Sequence, residues 1–270
     1  MAKQKVLYIA QEINPYLPET TLSVNSRKIP QGIQDYGFEI RTFMPKYGCI
    51  NERRNQLHEV IRLSGMNIII DDTDHPLIIK VATLQPARMQ VYFIDNEDYF
   101  MHPPVKDLET NLSPEDNDER IMFFVRGVVE TVKKLRWEPA VIHCSGWTSA
   151  LAPLYLKRLY NEDPSFRNAK IIYSIHEESF DGTLDERFVE KLKSEGFKDE
   201  DLAAISAAPV DFKALSRLAV DYADALILTA SVDPEIADYA RSAGKPLIEV
   251  PGDNPEASRI YADLYNELIG

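Results

Sequence analysis

The stretch that decides the fold is Val6-Leu7-Tyr8-Ile9-Ala10, a short apolar run bounded by polar residues. This pattern is typical of a strand that is buried on both faces of a parallel sheet. A second candidate strand is Ile40-Arg41-Thr42-Phe43-Met44, and the segment 22–36 between the two can be helical, with Pro30 as a local penalty. Gly37 stands where a C-terminal cap of this helix is expected. Together these features predict a β-α-β unit.

The same alternation resumes in the second half of the chain. Met122, Val125, Val129 and Val132 recur at steps of three and four residues, which predicts an amphipathic helix over residues 118–136. Further strands are predicted at 140–144, 171–175, 225–229 and 247–250, and further helices at 151–160, 212–222, 234–243 and 256–268. Repeated βα units predict an α/β fold with a doubly wound, mostly parallel, Rossmann-like sheet.

A different pattern occupies the residues from about 58 to 100. Four apolar runs recur there with turn residues between them and without long helices: 60–63, 68–70, 77–81 and 91–94. This pattern predicts a small β-rich excursion from the main sheet. Residues 101–117 are rich in Pro, Asp, Glu and Asn and are predicted to form an exposed loop. We expect one domain over residues 1–270, closed by the helix at about 256–268.

Charge argues against some classes of partner. The 270 residues carry 30 Lys and Arg against 43 Asp and Glu, a formal net charge of −13 that would repel a phosphate backbone. Nucleic acid is therefore not an expected partner. No run approaches the roughly 18 apolar residues of a membrane helix, so no membrane partner is expected either.

The cysteines and the start of the chain bear on its location. Cys49 and Cys144 are far apart and form no motif suited to zinc or to a disulfide framework. The opening apolar run turns polar at Gln11-Glu12, too early for the core of a signal peptide. Both features predict reduced thiols and a cytoplasmic location. Residues 71–74 are interpreted as a solvated turn, and neither a metal nor a cofactor is expected.

Ligands of doubly wound sheets gather beyond the carboxyl ends of the strands, so the segments that follow strands are the ones to inspect. Several of them resemble those of one family: 5–16, 37–48, 91–100, 116–126, 139–147, 174–176 and 222–224. In this order and spacing they resemble bacterial glycogen synthases and plant starch synthases, which are retaining, ADP-glucose-using glycosyltransferases of the GT-B fold. The resemblance covers most of the chain up to about Ser231.

The resemblance implies that this chain is similar to the N-terminal, acceptor-side lobe of such an enzyme. It also implies the family reaction, transfer of glucose from ADP-glucose to an α-1,4-glucan, in a cleft between this lobe and a second one. The second lobe supplies most of the sugar-nucleotide site. No Gly-rich loop and no Arg and Lys pair placed as a diphosphate clamp follow residue 231. The closing helix completes a domain and does not build a donor site.

Candidate site residues come from the same resemblance. His176 matches the family histidine near the reacting sugar and is the catalytic candidate; Glu12, Tyr16, Trp147 and Glu177 are the substrate-binding candidates. Each has a structural alternative: Trp147 as core, His176 as a structural histidine, and Glu12 and Tyr16 as residues that fix a loop. A nucleophilic pairing of Cys144 with His143 lacks a third partner.

The chain departs from the family pattern at three places. Pro18-Glu19-Thr20-Thr21 stands where the family has Lys-Thr-Gly-Gly, so a cation is replaced by an acid. Ser145-Gly146-Trp147 stands where the family has His-Asp-Trp, and Glu177 replaces the Asn that usually follows the histidine. Stabilising a departing diphosphate requires positive charge, which a glutamate opposes.

Two functions therefore remain open from the sequence. The first is a glycogen or starch synthase-like glycosyltransferase domain that is inactive alone and acts with a separate second-lobe protein or a second copy of the chain. The alternative is a non-catalytic protein that binds a glucan, or a regulatory partner in storage-polysaccharide metabolism. Glucan and sugar nucleotide are the candidate ligands in both.

Overall fold

A computed structural model of the protein describes residues 3–101, 114–177, 179–206, 209–229, 231–251 and 254–270. The strands are β1 (Gln4–Ala10), β2 (Phe38–Pro45), β3 (His58–Glu59), β4 (Met66–Ile70), β5 (Thr73–Leu84), β6 (Met89–Asp95), β7 (Val141–Ser145), β8 (Lys170–Ile175), β9 (Ala225–Leu228) and β10 (Leu247–Glu249). The helices are α1 (Thr21–Ile33), α2 (Glu97–Phe100), α3 (Asn117–Leu135), α4 (Ala152–Arg158), α5 (Phe188–Ser194), α6 (Phe212–Tyr222), α7 (Pro234–Ser242) and α8 (Ala257–Ile269).

The sheet has the strand order β10-β9-β8-β7-β1-β2-β6-β5-β3, with β4 paired to β5 beside this path. The strands from β10 to β6 run parallel to their neighbours, and β5 is antiparallel to β6. The prediction of a mostly parallel, Rossmann-like α/β sheet is thus confirmed. In the described part of the chain, no helix is both long enough and apolar enough to cross a bilayer.

The opening strand lies at the centre of this sheet. In β1, Val6 is in register with Ile40 of β2 on one side and with Val141 of β7 on the other. The residues from Val6 to Ala10 are at most 1% exposed. The continuous apolar run is explained by this position, because helices cover both faces of a parallel sheet.

Helix α1 follows a loop of ten residues after β1. Its N-cap is Thr20, whose hydroxyl accepts a hydrogen bond from the Ser23 amide at 2.9 Å, while the Ser23 hydroxyl accepts one from the Thr20 amide at 2.9 Å. Pro30 lies inside the helix and is buried. Gly37 ends the following 3₁₀ turn with a φ of +92°, the left-handed conformation that glycine adopts without a steric penalty.

The β-rich excursion is an extension of the main sheet. Strand β6 continues the parallel order beside β2, and the long β5 pairs antiparallel with β6, β3 and β4. The predicted strand at 60–63 is wrong: these residues form a turn, in which the Leu63 amide donates to the Val60 carbonyl at 2.8 Å. The Val60 amide still donates to the Ile79 carbonyl of β5 at 2.8 Å, but the turn buries Leu63 and leaves Ile61 82% exposed, so the run does not continue as a strand.

Helix α8 closes the lobe against β7 and β8. The Tyr265 hydroxyl lies 2.5 Å from His143 Nδ1, and the Ser174 hydroxyl lies 2.6 Å from His143 Nε2. The ring of Tyr261 stacks on that of His143 with centroids 5.5 Å apart. All four side chains are fully buried or nearly so. Burial holds the pKa of His143 well below its usual value, so the imidazole is neutral between two hydroxyl groups.

Other boundaries differ from the predicted ones by a few residues. Helix α4 ends at Arg158 and not at residue 160, and helix α5 was not predicted. Residues 102–113 of the predicted exposed loop, and Gly252 and Asp253 of the predicted turn before α8, lie outside the described residues.

Candidate functional site

The five candidate site residues follow three neighbouring strands at their carboxyl ends. Glu12 and Tyr16 lie in the loop after β1, Trp147 follows β7, and His176 and Glu177 follow β8. Because β8, β7 and β1 are adjacent and parallel, these loops share one edge of the sheet. The topology therefore brings the candidates to one side of the lobe, where open α/β sheets bind their ligands.

His176 is buried and bonded to a side chain of the neighbouring strand. Its Nε2 lies 2.9 Å from the Ser145 hydroxyl, and the residue is 6% exposed. Burial lowers the pKa of His176 to about 4, so the imidazole is uncharged at neutral pH. An uncharged imidazole can donate or accept a hydrogen bond, but it supplies no positive charge to a departing diphosphate.

Glu177, the next residue, is exposed. The chain thus places a buried neutral ring and a solvated carboxylate side by side at the end of β8. Ser145, the partner of His176, was not selected from the sequence. The detectable signal was its place as the last residue of a buried strand, in register with Ser174 two residues before His176.

The loop after β1 is fixed to the start of α1. The hydroxyl of Thr20 donates a hydrogen bond to the Glu12 carboxylate and also caps α1. Glu19, next to this cap, is exposed. The Glu12 carboxylate is therefore fixed by the N-cap residue of α1. Glu19 places a solvated negative charge directly before that N-cap.

Tyr16 packs into the lobe. Its ring meets that of Phe93 edge-on with centroids 4.8 Å apart, and the residue is 8% exposed. Burial raises the pKa of the Tyr16 hydroxyl to about 12. With so little of its surface exposed, Tyr16 offers few contacts to a ligand.

Trp147 is also packed. It is 4% exposed, its ring lies 4.9 Å from that of Phe180, and it lines a small cavity together with Tyr47 and Phe100. Before it, Gly146 adopts φ +89° and ψ 161°, a conformation open essentially to glycine alone. The amide of Thr148 donates a hydrogen bond to the Gln11 side-chain oxygen at 3.4 Å. Gln11, which was not selected from the sequence, thus packs beside Gly146.

Three cations of this part of the lobe, Lys46, Lys80 and Arg120, are bound by carboxylates. Lys46, which directly follows β2, is 2% exposed, and its Nζ lies 3.0 Å from Glu52 Oε1. The same carboxylate oxygen lies 2.6 Å from Lys80 Nζ, which lies 2.7 Å from Asp95 Oδ2. Arg120 at the start of α3 is 1% exposed and forms two hydrogen bonds with Asp116, at 2.7 and 2.9 Å. The positive charges of Lys46, Lys80 and Arg120 are thus neutralised by carboxylates within the lobe.

No group of three or more metal-ligating side chains occurs among the residues that the structure describes. Of the buried histidines, His143 and His176 form hydrogen bonds with hydroxyl groups at distances of 2.5 to 2.9 Å, and His75 lies 2.9 Å from both the Asp98 carboxylate and the Tyr99 hydroxyl.

Comparison with known proteins gives one consistent result. The sequence model of the family described as "Starch synthase catalytic domain" matches residues 5–239. A glycogen synthase of Chlorobium chlorochromatii (strain CaD3) is 36% identical over 254 residues, which are 94% of this chain and 48% of the relative. A glycogen synthase of Chlorobaculum tepidum is 38% identical over 173 residues, 64% of this chain and 36% of the relative.

The fold agrees with this result. The catalytic domain of starch synthase IV from Arabidopsis thaliana, solved with ADP and acarbose, superposes with a TM-score of 0.70 at 17% identity, covering 92% of this chain and 51% of that one. The chain spans about half the length of curated relatives that it matches over most of its own length. Strand β10 and helix α8 lie beyond the residues that the family model matches.

Proposed function

Since this chain belongs to the family of starch synthase catalytic domains, we propose that it is the acceptor-side half of an α-glucan glycosyltransferase and that it transfers no glucose on its own. The expected ligands are an α-1,4-glucan and, in a cleft shared with a second lobe, ADP-glucose. A separate protein would supply that second lobe, in the cytoplasm, and a second copy of the chain is a further candidate partner.

The observation that carries this proposal is the loop after β1. In the stretch from Pro18 to Thr21, the one charged residue is Glu19, which is exposed, while Thr20 is bound to Glu12 and to the cap of α1. A sugar nucleotide needs positive charge beside its diphosphate, and a carboxylate there opposes the charge that develops in the transition state.

The decisive experiment measures transfer of labelled glucose from ADP-glucose to glycogen by the purified full chain. We expect incorporation equal to that of the protein-free reaction, with the glycogen synthase of Chlorobium chlorochromatii as the positive control. Incorporation by the purified chain above the protein-free level would overturn the proposal.

A charge reversal tests the reason for inactivity. Glu19→Lys is expected to strengthen ADP binding by roughly two- to fivefold, the size of one exposed charge interaction. Glu162→Lys, at an exposed site after α4, makes the same change in net charge and is expected to have no effect. Equal ADP binding by both variants would show that Glu19 does not face the donor site.

The second candidate function is a non-catalytic glucan-binding or regulatory protein. Gly146 favours this candidate, because it stands where the family has an acid that contacts the sugar. The backbone of Gly146 has a φ of +89°, which is strained for any residue with a side chain, so this loop would not accept the acid without rearrangement. The transfer assay repeated with added cell extract separates the two candidates: transfer above that of the extract alone would exclude the non-catalytic protein, and no such increase would support it.

A further inference from the structure

Four side chains around α2 form a continuous hydrogen-bonded chain that the candidate site does not include. His75 of β5 lies between Asp98 and Tyr99 of α2, with its Nδ1 2.9 Å from Asp98 Oδ2 and its Nε2 2.9 Å from the Tyr99 hydroxyl. The Tyr99 hydroxyl donates to Glu119 Oε2 of α3 at 2.8 Å. Because α2 follows β6, which is parallel to β2, this junction of three elements lies at the carboxyl edge of the sheet.

The middle of this hydrogen-bonded chain is shielded from water. His75 is 7% exposed and Tyr99 is 3% exposed, and the ring of Phe123 lies against both, with centroids 6.3 and 5.3 Å away. At the two ends, the side chain of Asp98 is 61% exposed and that of Glu119 is 24% exposed. Since water has little access to the middle, the bonds of His75 and Tyr99 must be satisfied by these four side chains.

The three hydrogen bonds need three protons. Burial and the hydrogen bond to Glu119 raise the pKa of the Tyr99 hydroxyl, so Tyr99 keeps its single proton and donates it to Glu119. The carboxylates of Asp98 and Glu119 only accept, and a neutral imidazole donates from one nitrogen alone. With a neutral ring, His75 and Tyr99 supply two protons in total. One of the three contacts would then bring two acceptors together.

We propose that these side chains form a proton-binding site, in which His75 takes up a third proton from solvent and donates to both Asp98 and Tyr99. Imidazole is more basic than a carboxylate in water, so the ring is the group that holds the added proton. His143 and His176 differ, because they bond to hydroxyl groups, which can donate as well as accept and therefore satisfy a neutral ring.

The other charged groups around the site leave this proton count unchanged. One exposed carboxylate precedes the site in β5 and one in α2, Asp74 and Glu97, and no hydrogen bond joins either to the four side chains. Lys191 of α5 donates to Glu119 Oε1 at 2.7 Å, which leaves Oε2 to accept from Tyr99. The same lysine also contacts two aspartates, Asp118 and Asp185.

Loss of the third proton breaks one bond of the junction between β5, α2 and α3. The junction is therefore closed while His75 is protonated, and α2 opens more readily as the pH rises. Opening also reaches the loop after β2, because the Phe100 carbonyl at the end of α2 accepts a hydrogen bond from the Gly48 amide at 2.6 Å. The site thus makes one part of the carboxyl edge sensitive to pH.

Hydrogen exchange of the Phe100 amide measures this opening, because that amide donates to the Asn96 carbonyl at 3.0 Å within α2. The full chain is followed by NMR from about pH 5.5 to 8.5, with each exchange rate corrected for the intrinsic rate at that pH. The ¹⁵N signals of the His75 ring report its protonation in the same samples. We expect the opening equilibrium constant to rise about tenfold when His75 loses its proton, the size of one hydrogen bond to a charged group.

Two isosteric variants test the proton count. In Asp98→Asn and in Glu119→Gln, an amide at one end can donate, so a neutral His75 satisfies all three bonds. We expect the opening of α2 in both variants to lose its dependence on the protonation of His75. The matched controls are Asp74→Asn and Glu97→Gln, which remove the same charge from exposed positions and should keep the dependence.

Three outcomes would overturn the proton-binding site. The first is opening of α2 that does not change with the protonation of His75 in the unmodified chain. The second is a ring of His75 that has one unprotonated nitrogen at every pH while α2 stays closed. The third is equal behaviour of the two isosteric variants and their controls. None of these measurements involves glucose transfer, so the proposed function is tested separately.

Discussion

The Cβ atom of Gln11 lies 2.8 Å from the place where a side chain at position 146 would put its own Cβ atom. Gly146 also has a φ of +89°. The loops after β1 and β7 are therefore packed together at a position that tolerates no side chain.

We expect Gly146→Ala to lower the free energy of unfolding by about 2–4 kcal/mol, because backbone strain and a steric clash add. The control is Gly37→Ala, where φ is +92° and no atom lies within 4 Å of the added Cβ, so strain acts alone. Urea unfolding of both variants measures the difference. Equal losses would show that the contact with Gln11 relaxes at no cost.

Acid should destabilise the lobe through its buried histidines. His176 has its pKa lowered to about 4 from 6.5, so between these values the unfolded chain binds the proton and the folded chain does not. The free energy of unfolding therefore keeps its full value above pH 6.5 and decreases as the pH falls toward 4. The total decrease due to His176 is about 3 kcal/mol. His143, with its pKa also lowered, acts in the same direction.

Urea unfolding at several pH values between 7 and 4.5 measures this effect. His176→Gln is expected to flatten the loss of stability over that range relative to the unmodified chain. His58→Gln makes the same replacement at an exposed position and provides the matched variant. If His176→Gln follows the unmodified chain at every pH, the folded lobe protonates His176 as easily as the unfolded chain does.

The hydrogen bond between Tyr265 and His143 should fasten α8 to the sheet. Tyr265→Phe keeps the ring and leaves His143 Nδ1 without its partner, which we expect to cost about 1–3 kcal/mol in the free energy of unfolding. On the same helix, Glu267→Ala changes an exposed side chain and should cost less than about 0.5 kcal/mol. Thermal unfolding of the two variants at pH 7 compares them, and similar midpoints would contradict this role of Tyr265.

Helix α5 offers a matched pair of lysines. Lys191 is 5% exposed and lies 2.7 Å from both Asp118 Oδ2 and Glu119 Oε1, whereas Lys193 is 47% exposed and pairs with a solvated Asp199. Lys191→Met leaves the buried carboxylate of Asp118 without its cation and is expected to cost about 3–5 kcal/mol. Lys193→Met should cost at most about 1 kcal/mol. Denaturant unfolding of the two variants measures the difference in the free energy of unfolding. Equal losses would show that the carboxylates near Lys191 become solvated when the lysine is removed.

Long periodic segments made most of the fold predictable from the sequence. The run at β1 and the spacing of apolar residues in α3 each agree with their structure to within two residues. The turn at 60–63 was not predictable in this way, because a run of four apolar residues is too short to show a period. Which of its side chains are buried depends on the tertiary contacts of the turn.

The site was predictable in its location and only partly in its contacts. That Glu12, Trp147 and His176 share one edge follows from parallel strands alone. The bond between His176 and Ser145 depends on the register of β7 against β8, and the contact between Gln11 and Gly146 depends on one backbone angle. Neither quantity is determined by local sequence patterns.

The central position of β1 has a consequence for biosynthesis. Among the strands of this lobe, β1 is translated first, yet one of its two neighbours is β7, and the tyrosines that cover His143 belong to α8. Nascent β1 must therefore wait, with one edge unpaired, until β7 has been translated. During that interval the unpaired edge of β1 can pair with the strand of another chain.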